Sequence, residues 1–161
     1  KHRKDDVKIF KDLFLKKEIS PKHYKWIELR EKALKLKLIE NHEWKNTSFK
    51  FVKQRIKKFK LQKNIELIKG DIVKSVKKIK KNHKYSVVFM DCNLYEPHIA
   101  ALEHCWKHLS KKGTIFLDDY FSLKYPGARI AVNEFCKNKK LKVKKVQSYP
   151  GDFERYYLEK S

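Results

Sequence analysis

A chain of 161 residues with 41% hydrophobic and 13% aromatic residues is the size of one domain and can bury a core of its own. Lysine and arginine number 41 against 19 aspartates and glutamates, and the net charge of +22 favours contact with polyanions such as nucleic acid, nucleotides or acidic lipids. The excess is mostly lysine spread along helices and turns, so a solvated lysine surface is a simpler reading than a nucleic-acid groove. Cys92, Cys105 and Cys136 are odd in number and form no C-x-x-C pair, which argues against a disulfide framework or a zinc site and fits a reducing cytoplasm. No run approaches the ~18 apolar residues of a membrane span, and no signal-peptide pattern opens the sequence.

In chain order, Val7 to Leu15 and Tyr24 to Ile39 are lysine-rich amphipathic patterns that predict two helices with no strand between them. Thr47 or Ser48 can N-cap a further helix whose Val52, Ile56 and Phe59 share one face. Ile65 to Ile68 reads as a strand ending in Gly70-Asp71, and Ile72, Val73, Val76 and Ile79 make the next helical stripe. The strand Ser86 to Met90 is apolar from Val87 onward and is expected to be buried on both faces. Pro97 suits the first turn of a helix with Ile99, Leu102, Trp106 and Leu109 inward, closed by Lys111-Lys112-Gly113 with the glycine as a left-handed cap. Thr114 to Leu117 is a strand ending in Asp118-Asp119-Tyr120, and a helix from Pro126-Gly127 presents Ile130, Val132 or Ala131, and Phe135. Leu141 to Gln147 and Phe153 to Glu159, joined by a short linker, predict an antiparallel hairpin.

Short apolar runs alternating with helical periodicity are the pattern of an α/β sheet with parallel strands. In such a sheet ligands bind beyond the carboxyl ends of the strands, and three predicted strands end in acids: Asp71, Asp91 and Asp118-Asp119. Adjacent strands lie ~4.8 Å apart, so if the Met90 and Leu117 strands are neighbours their terminal carboxylates converge. Like charges that close repel unless a cation neutralises them, and an all-oxygen cluster suits Mg²⁺ or Ca²⁺ rather than zinc. A lone Asp after a strand can equally cap the following helix or sit solvated in a turn. His98, just after Asp91, is a candidate base or a polar loop residue. His104 and His108, four apart, could ligate a metal, although exposed helix histidines are commoner.

Three stretches in order, TSFKFVKQRIKKFKLQKNIELIKGDIVKSV, VVFMDCNLYEPHIAALEHCWKHLSKKGTIFLDDY and PGARIAVNEF, resemble the macrocin-type (TylF/MycF-like) O-methyltransferases, from about Trp44 to the end. The resemblance implies a Rossmann-like class I methyltransferase sheet, mostly parallel with a C-terminal antiparallel hairpin, behind N-terminal helices. It divides the chain into a helical segment, 1–43, and a methyltransferase core, 44–161. It further implies S-adenosylmethionine as methyl donor and Mg²⁺ held at Asp91, Asp118 and Asp119. Gly70 and Asp71 become candidates for the cofactor's adenine pocket, with His98 a candidate catalytic base. The acceptor would be a hydroxyl of a sugar or similar small molecule.

Two departures from that family stand out. Asn93 replaces the second acid of D-x-D-L-Y-E, keeping an oxygen but losing a charge. The first two strands of the family sheet, with their glycine-rich turn, have no counterpart, and no glycine precedes Gly70. The helix before the first strand and the segment after the second meet at Glu40 to Glu43, which predicts a missing internal stretch of roughly 40 to 70 residues. Two rival readings follow, a non-catalytic nucleic-acid-binding remnant of the fold and an RNA methyltransferase; salt-dependent RNA binding would favour either. The oligomeric state is open, a homo-oligomer included.

Overall fold

The computed structural model describes residues 11–17, 21–36, 48–79, 82–120, 126–146 and 155–161. The predicted gap near Glu40 to Glu43, the boundary at 43/44 and the linker at 148–152 lie outside the described residues. The chain divides into two units, Lys1–Tyr24 with Asp71–Ser161, and Lys25–Gly70.

The larger unit is built on four strands, β1 (Tyr85–Met90), β2 (Leu109–Leu117), β3 (Lys144–Lys145) and β4 (Tyr156–Glu159), in the order β1-β2-β4-β3. β1 runs parallel to β2, while β4 is antiparallel to both β2 and β3. Among the described residues the parallel part is therefore one pair, and the C-terminal antiparallel pair is as the sequence indicates. The parallel connection is the helix Tyr95–His108, which packs against the helix Pro126–Lys139.

Ile115, Leu117 and Leu158 from the sheet meet Leu102 from the first of these helices and Val132 and Phe135 from the second, all essentially inaccessible to solvent. Trp106 meets the Phe135 ring edge-on at 5.9 Å. The alternation along β2 sends Gly113, Ile115 and Leu117 inward and leaves Thr114 and Phe116 half-buried.

β1 departs from expectation. Met90 is buried, but Val87 is 64% and Phe89 69% exposed, so one face of this strand is covered and the other is not. An unbroken apolar run cannot distinguish these two cases, because periodicity is invisible when both faces carry apolar residues.

The end of the connecting helix is also different. It stops at His108, and Leu109, extended and buried, begins β2 with no intervening loop. Gly113 lies inside β2, and the left-handed residue is Lys112, at φ 60°. The cap comes from far along the chain: the Lys160 ammonium donates to the carbonyls of Trp106 and Leu109, each at 2.9 Å. A cation there complements the negative end of the helix.

Ile65 to Ile68 forms no strand; these residues are irregular and largely exposed. Gly70 follows at φ 152°, a backbone state suited to glycine. The stripe from Ile72 to Ile79 is one helical turn, Ile72–Ser75, continued as a 3₁₀ turn, Val76–Lys78. The expected strand Leu141 to Gln147 contracts to Lys144–Lys145, extended by a bond from Val146 N–H to the Arg155 carbonyl at 2.8 Å.

The described helices can now be labelled α1 (Pro21–Lys35), α2 (Phe49–Lys58), α3 (Ile72–Ser75), α4 (Tyr95–His108) and α5 (Pro126–Lys139). In the smaller unit, Ser48 caps α2 by accepting from Phe51 N–H at 3.1 Å, as its sequence indicates. None of the described helices is long and apolar enough to cross a membrane.

Gly127, in the first turn of α5, fixes how closely that helix approaches α4. A Cβ there would lie 2.8 Å from the Tyr95 backbone nitrogen and 3.2 Å from the Tyr95 Cβ. Because backbone cannot step aside as a flexible side chain does, Gly127→Ala is expected to cost about 1–3 kcal/mol of stability. Urea unfolding of the variant beside the parent measures this, and an unchanged midpoint would refute it.

Candidate active site

Met90 and Leu117 are register partners at the ends of the parallel pair, so Asp91 and Asp118 emerge side by side. Asp118 opens a 3₁₀ turn, Asp118–Tyr120, that tucks Asp119 inward. One carboxylate oxygen from each of Asp91, Asp118 and Asp119 falls within 4.8 Å of the others. The convergence expected from two apolar strands ending in acid is thus present in the geometry.

The electrostatics follow from that crowding. Burial, then the charges of Asp91 and Asp118, push Asp119 up to about 6, against the opposing pull of the Asn93 backbone N–H. Burial and the charge of Asp91 also raise Asp118, which Arg155 partly counteracts. Carboxylates held this close in the folded chain form a donor set of hard oxygens whose mutual repulsion a divalent cation would relieve. The residues therefore fit such an ion.

Asn93 has a different part from that expected. It sits at φ 59°, in the left-handed region asparagine tolerates. Its backbone N–H donates to Asp119 Oδ2 at 3.1 Å. Oriented with nitrogen toward the carboxylate, its amide also donates to Asp119, reaching Oδ1 at 3.0 Å. In that orientation Asn93 holds Asp119 in place and does not turn its oxygen toward the other carboxylates.

Among the described residues, the converging ligand atoms are those of these three carboxylates. Gly70 and Asp71 are exposed, and the Asp71 carboxylate accepts from Val73 N–H at 3.0 Å, capping α3. His98, on α4, is fully buried with neither ring nitrogen hydrogen-bonded, and burial pulls it down to about 4. His104 Nε2 meets the Tyr85 hydroxyl at 3.2 Å, and His108 Nδ1 donates to the His104 carbonyl at 2.9 Å. Cys92 is half-buried, and burial pushes its thiol up to about 11, which keeps it protonated and inert.

The brace behind the cluster was not visible in the sequence. α5 supplies Glu134, which accepts from the Tyr95 hydroxyl at 2.5 Å, and Asn133, which accepts from the Tyr120 hydroxyl at 3.0 Å. Arg129 Nε donates to the Tyr120 carbonyl at 3.0 Å, and its guanidinium lies 5.2 Å from the centre of that ring. One helix thus ties down the segments following both β1 and β2. In PGARIAVNEF the polar residues Arg129 and Asn133 lie four apart, one helical turn, with Glu134 following, but their partners are far away in the chain.

A family model described as a methyltransferase domain matches residues 24–120, more than half of the chain. The chain belongs to this methyltransferase-domain family. Among solved structures it is similar to the O-methyltransferase NovP, at 19% identity and a TM-score of 0.61, covering 71% of this chain and 46% of that one. It is also similar to the O-methyltransferase from Bacillus cereus in complex with SAH, at 16% identity and a TM-score of 0.52, covering 71% of this chain and 60% of that one. At such identities the likeness shows a shared α/β, Rossmann-like class I methyltransferase fold. This methyltransferase-domain chain spans only about half the length of the structures it matches. No curated protein matches it.

Proposed function

We propose that the protein is an S-adenosylmethionine-dependent, divalent-metal-assisted O-methyltransferase of the macrocin type, acting on a hydroxyl of a sugar or other small molecule in a reducing, cytoplasm-like compartment. The observation that carries the reading is the convergence of Asp91, Asp118 and Asp119 within 4.8 Å at the end of the parallel strand pair. Asp91, Asp118 and Asp119 would hold Mg²⁺, which when bound lowers the pKa of an acceptor hydroxyl and orients it. The chain's own work is positioning. Asn93 fixes Asp119, and the α5 residues Glu134, Asn133 and Arg129 hold Tyr95 and Tyr120, so that the acceptor would meet the methyl donor in line.

Gly70 and Asp71 remain the proposed contribution to the donor's adenine pocket. A glycine-rich turn for the donor's methionine end is not among the residues of this sequence, so donor binding is tested separately from catalysis. The buried, unpaired ring of His98 offers no proton path within the described residues, and its proposed role as base rests on its place in the sequence alone.

The experiment is calorimetric titration of the full chain with MgCl₂ and, separately, with S-adenosylmethionine, followed by methyl transfer to a panel of sugars and small hydroxylated compounds with and without chelator. Binding of both and chelator-sensitive transfer are expected. Asn93→Asp, which sets another carboxylate against Asp119, should weaken the metal-free fold and raise its dependence on Mg²⁺. Transfer that continues unchanged in excess chelator would rule out metal assistance, and RNA binding without donor binding would favour a non-catalytic remnant.

A further inference from the structure

The stretch from Ser48 to Gly70 combines two properties that seldom occur together on a solvated surface. Its charge is one-sided: Lys50, Lys53, Arg55, Lys57, Lys58, Lys60, Lys63 and Lys69 stand against the single acid Glu66. Its large apolar side chains are exposed as well, including Phe49, Phe51, Phe59, Leu61, Ile65 and Ile68. No described residue between Lys25 and Gly70 is buried. At 100° per residue, Phe49, Phe51, Val52 and Ile56 of α2 and its C-cap Phe59 occupy one side, with Arg55 among them and Lys58 at their edge, and Lys50, Lys53 and Lys57 the other.

We propose that this segment docks on an anionic phospholipid surface, inserting Phe51, Phe59 and the neighbouring aliphatic side chains while the lysines engage the headgroups. Such binding scales with buried apolar area plus attraction to anionic lipid, and both terms are present here. The long lysine side chains can keep their charges at headgroup level while their stems lie along apolar surface. Charge complementarity also decides against a second copy of the chain, since two such segments would repel.

Single-stranded nucleic acid is the other polyanion to weigh, and the aliphatic share of the exposed surface counts against it. Bases stack on free aromatic faces. Leucine and isoleucine, which offer nothing to a base, make up the rest of the exposed apolar surface.

The test is co-sedimentation of the full chain with vesicles of phosphatidylcholine carrying roughly a third phosphatidylglycerol, a strongly anionic surface. Binding is expected there and not on pure phosphatidylcholine. Phe51→Ser with Phe59→Ser should weaken it by at least about tenfold through lost apolar insertion. Lys57→Glu with Lys58→Glu should weaken it by at least about tenfold. Lys77→Glu with Lys78→Glu makes the same change in net charge outside the segment and should leave the affinity within about twofold. Circular dichroism of each variant keeps misfolding from mimicking the loss. Four outcomes would overturn the proposal: equal loss in the Lys77/Lys78 control, no effect of the two serine changes, tighter binding to a single-stranded oligonucleotide than to the vesicles, or self-association by light scattering without vesicle binding.

Discussion

Replacing Asp118 or Asp91 with alanine is expected to lower methyl transfer on the order of a thousandfold, the scale of removing a pre-organised charge at a reacting centre, while leaving the fold intact. Both side chains are exposed at strand ends, so their removal opens no cavity. Each loss also removes a charge that now repels its neighbours, so the metal-free variants should unfold no more easily than the parent. Asp119→Ala should behave differently, because that carboxylate is buried and accepts from the left-handed Asn93 backbone; it should lose both activity and stability.

The Asp119 titration supplies an internal check. A carboxyl whose folded value lies above its unfolded one stabilises the fold at low pH, and that contribution is lost as pH rises from 3.8 through about 6. Mg²⁺ should restore stability above that window in the parent and fail to do so in Asp118→Ala. Initial rates with labelled donor, read beside thermal melts with and without Mg²⁺, test both halves. A variant with full activity would sink the site; a variant that loses activity by unfolding would leave Asp118 a structural residue.

The parts of this site legible in the sequence were those that depend on local order and on strand adjacency. Asp91 and Asp118 each follow an apolar run, and parallel pairing in register delivers them together without any further information. What stayed hidden depends on contacts between residues far apart. Asn93 and Asp119 are 26 positions apart, Tyr95 and Glu134 are 39 apart, and the Lys160 cap on α4 reaches back 51 and 54 positions. No periodicity carries such pairings. The helix end was misplaced for a related reason: Gly113 looked like a cap because lysines and glycine commonly end helices, whereas burial of Leu109 ended the helix earlier and started a strand. Ile65 to Ile68 had the composition of a strand but forms no ladder with any described segment, and apolar composition alone does not make a strand.

The sequence offers His98 as a candidate base or a polar loop residue, and the structure places it on α4 as a buried part of the core, where its titration should tune stability. Its ring is fully buried, both nitrogens lack a partner, and burial alone pulls it from 6.5 down to about 4. A base whose folded value lies below its unfolded one adds stability that is present above 6.5 and is lost as pH falls toward 4, because the unfolded chain takes up the proton first. At ~1.36 kcal/mol for each pH unit between those values, the loss comes to about 3 kcal/mol. Asp119 works in the opposite sense over part of the same range, since its protonation favours the fold as pH falls, so the parent's stability alone would conceal the effect. The comparison to make is parent against His98→Leu, each unfolded in urea from pH 7 to pH 4, with Asp119→Asn as a common background. The leucine variant fills a similar volume without an ionisable ring, so its stability should hold where the parent's declines, and the two curves should diverge most below pH 5. Parallel curves, or an NMR titration placing His98 near 6.5, would show that protons reach the ring in the folded state, and would restore His98 as a candidate base.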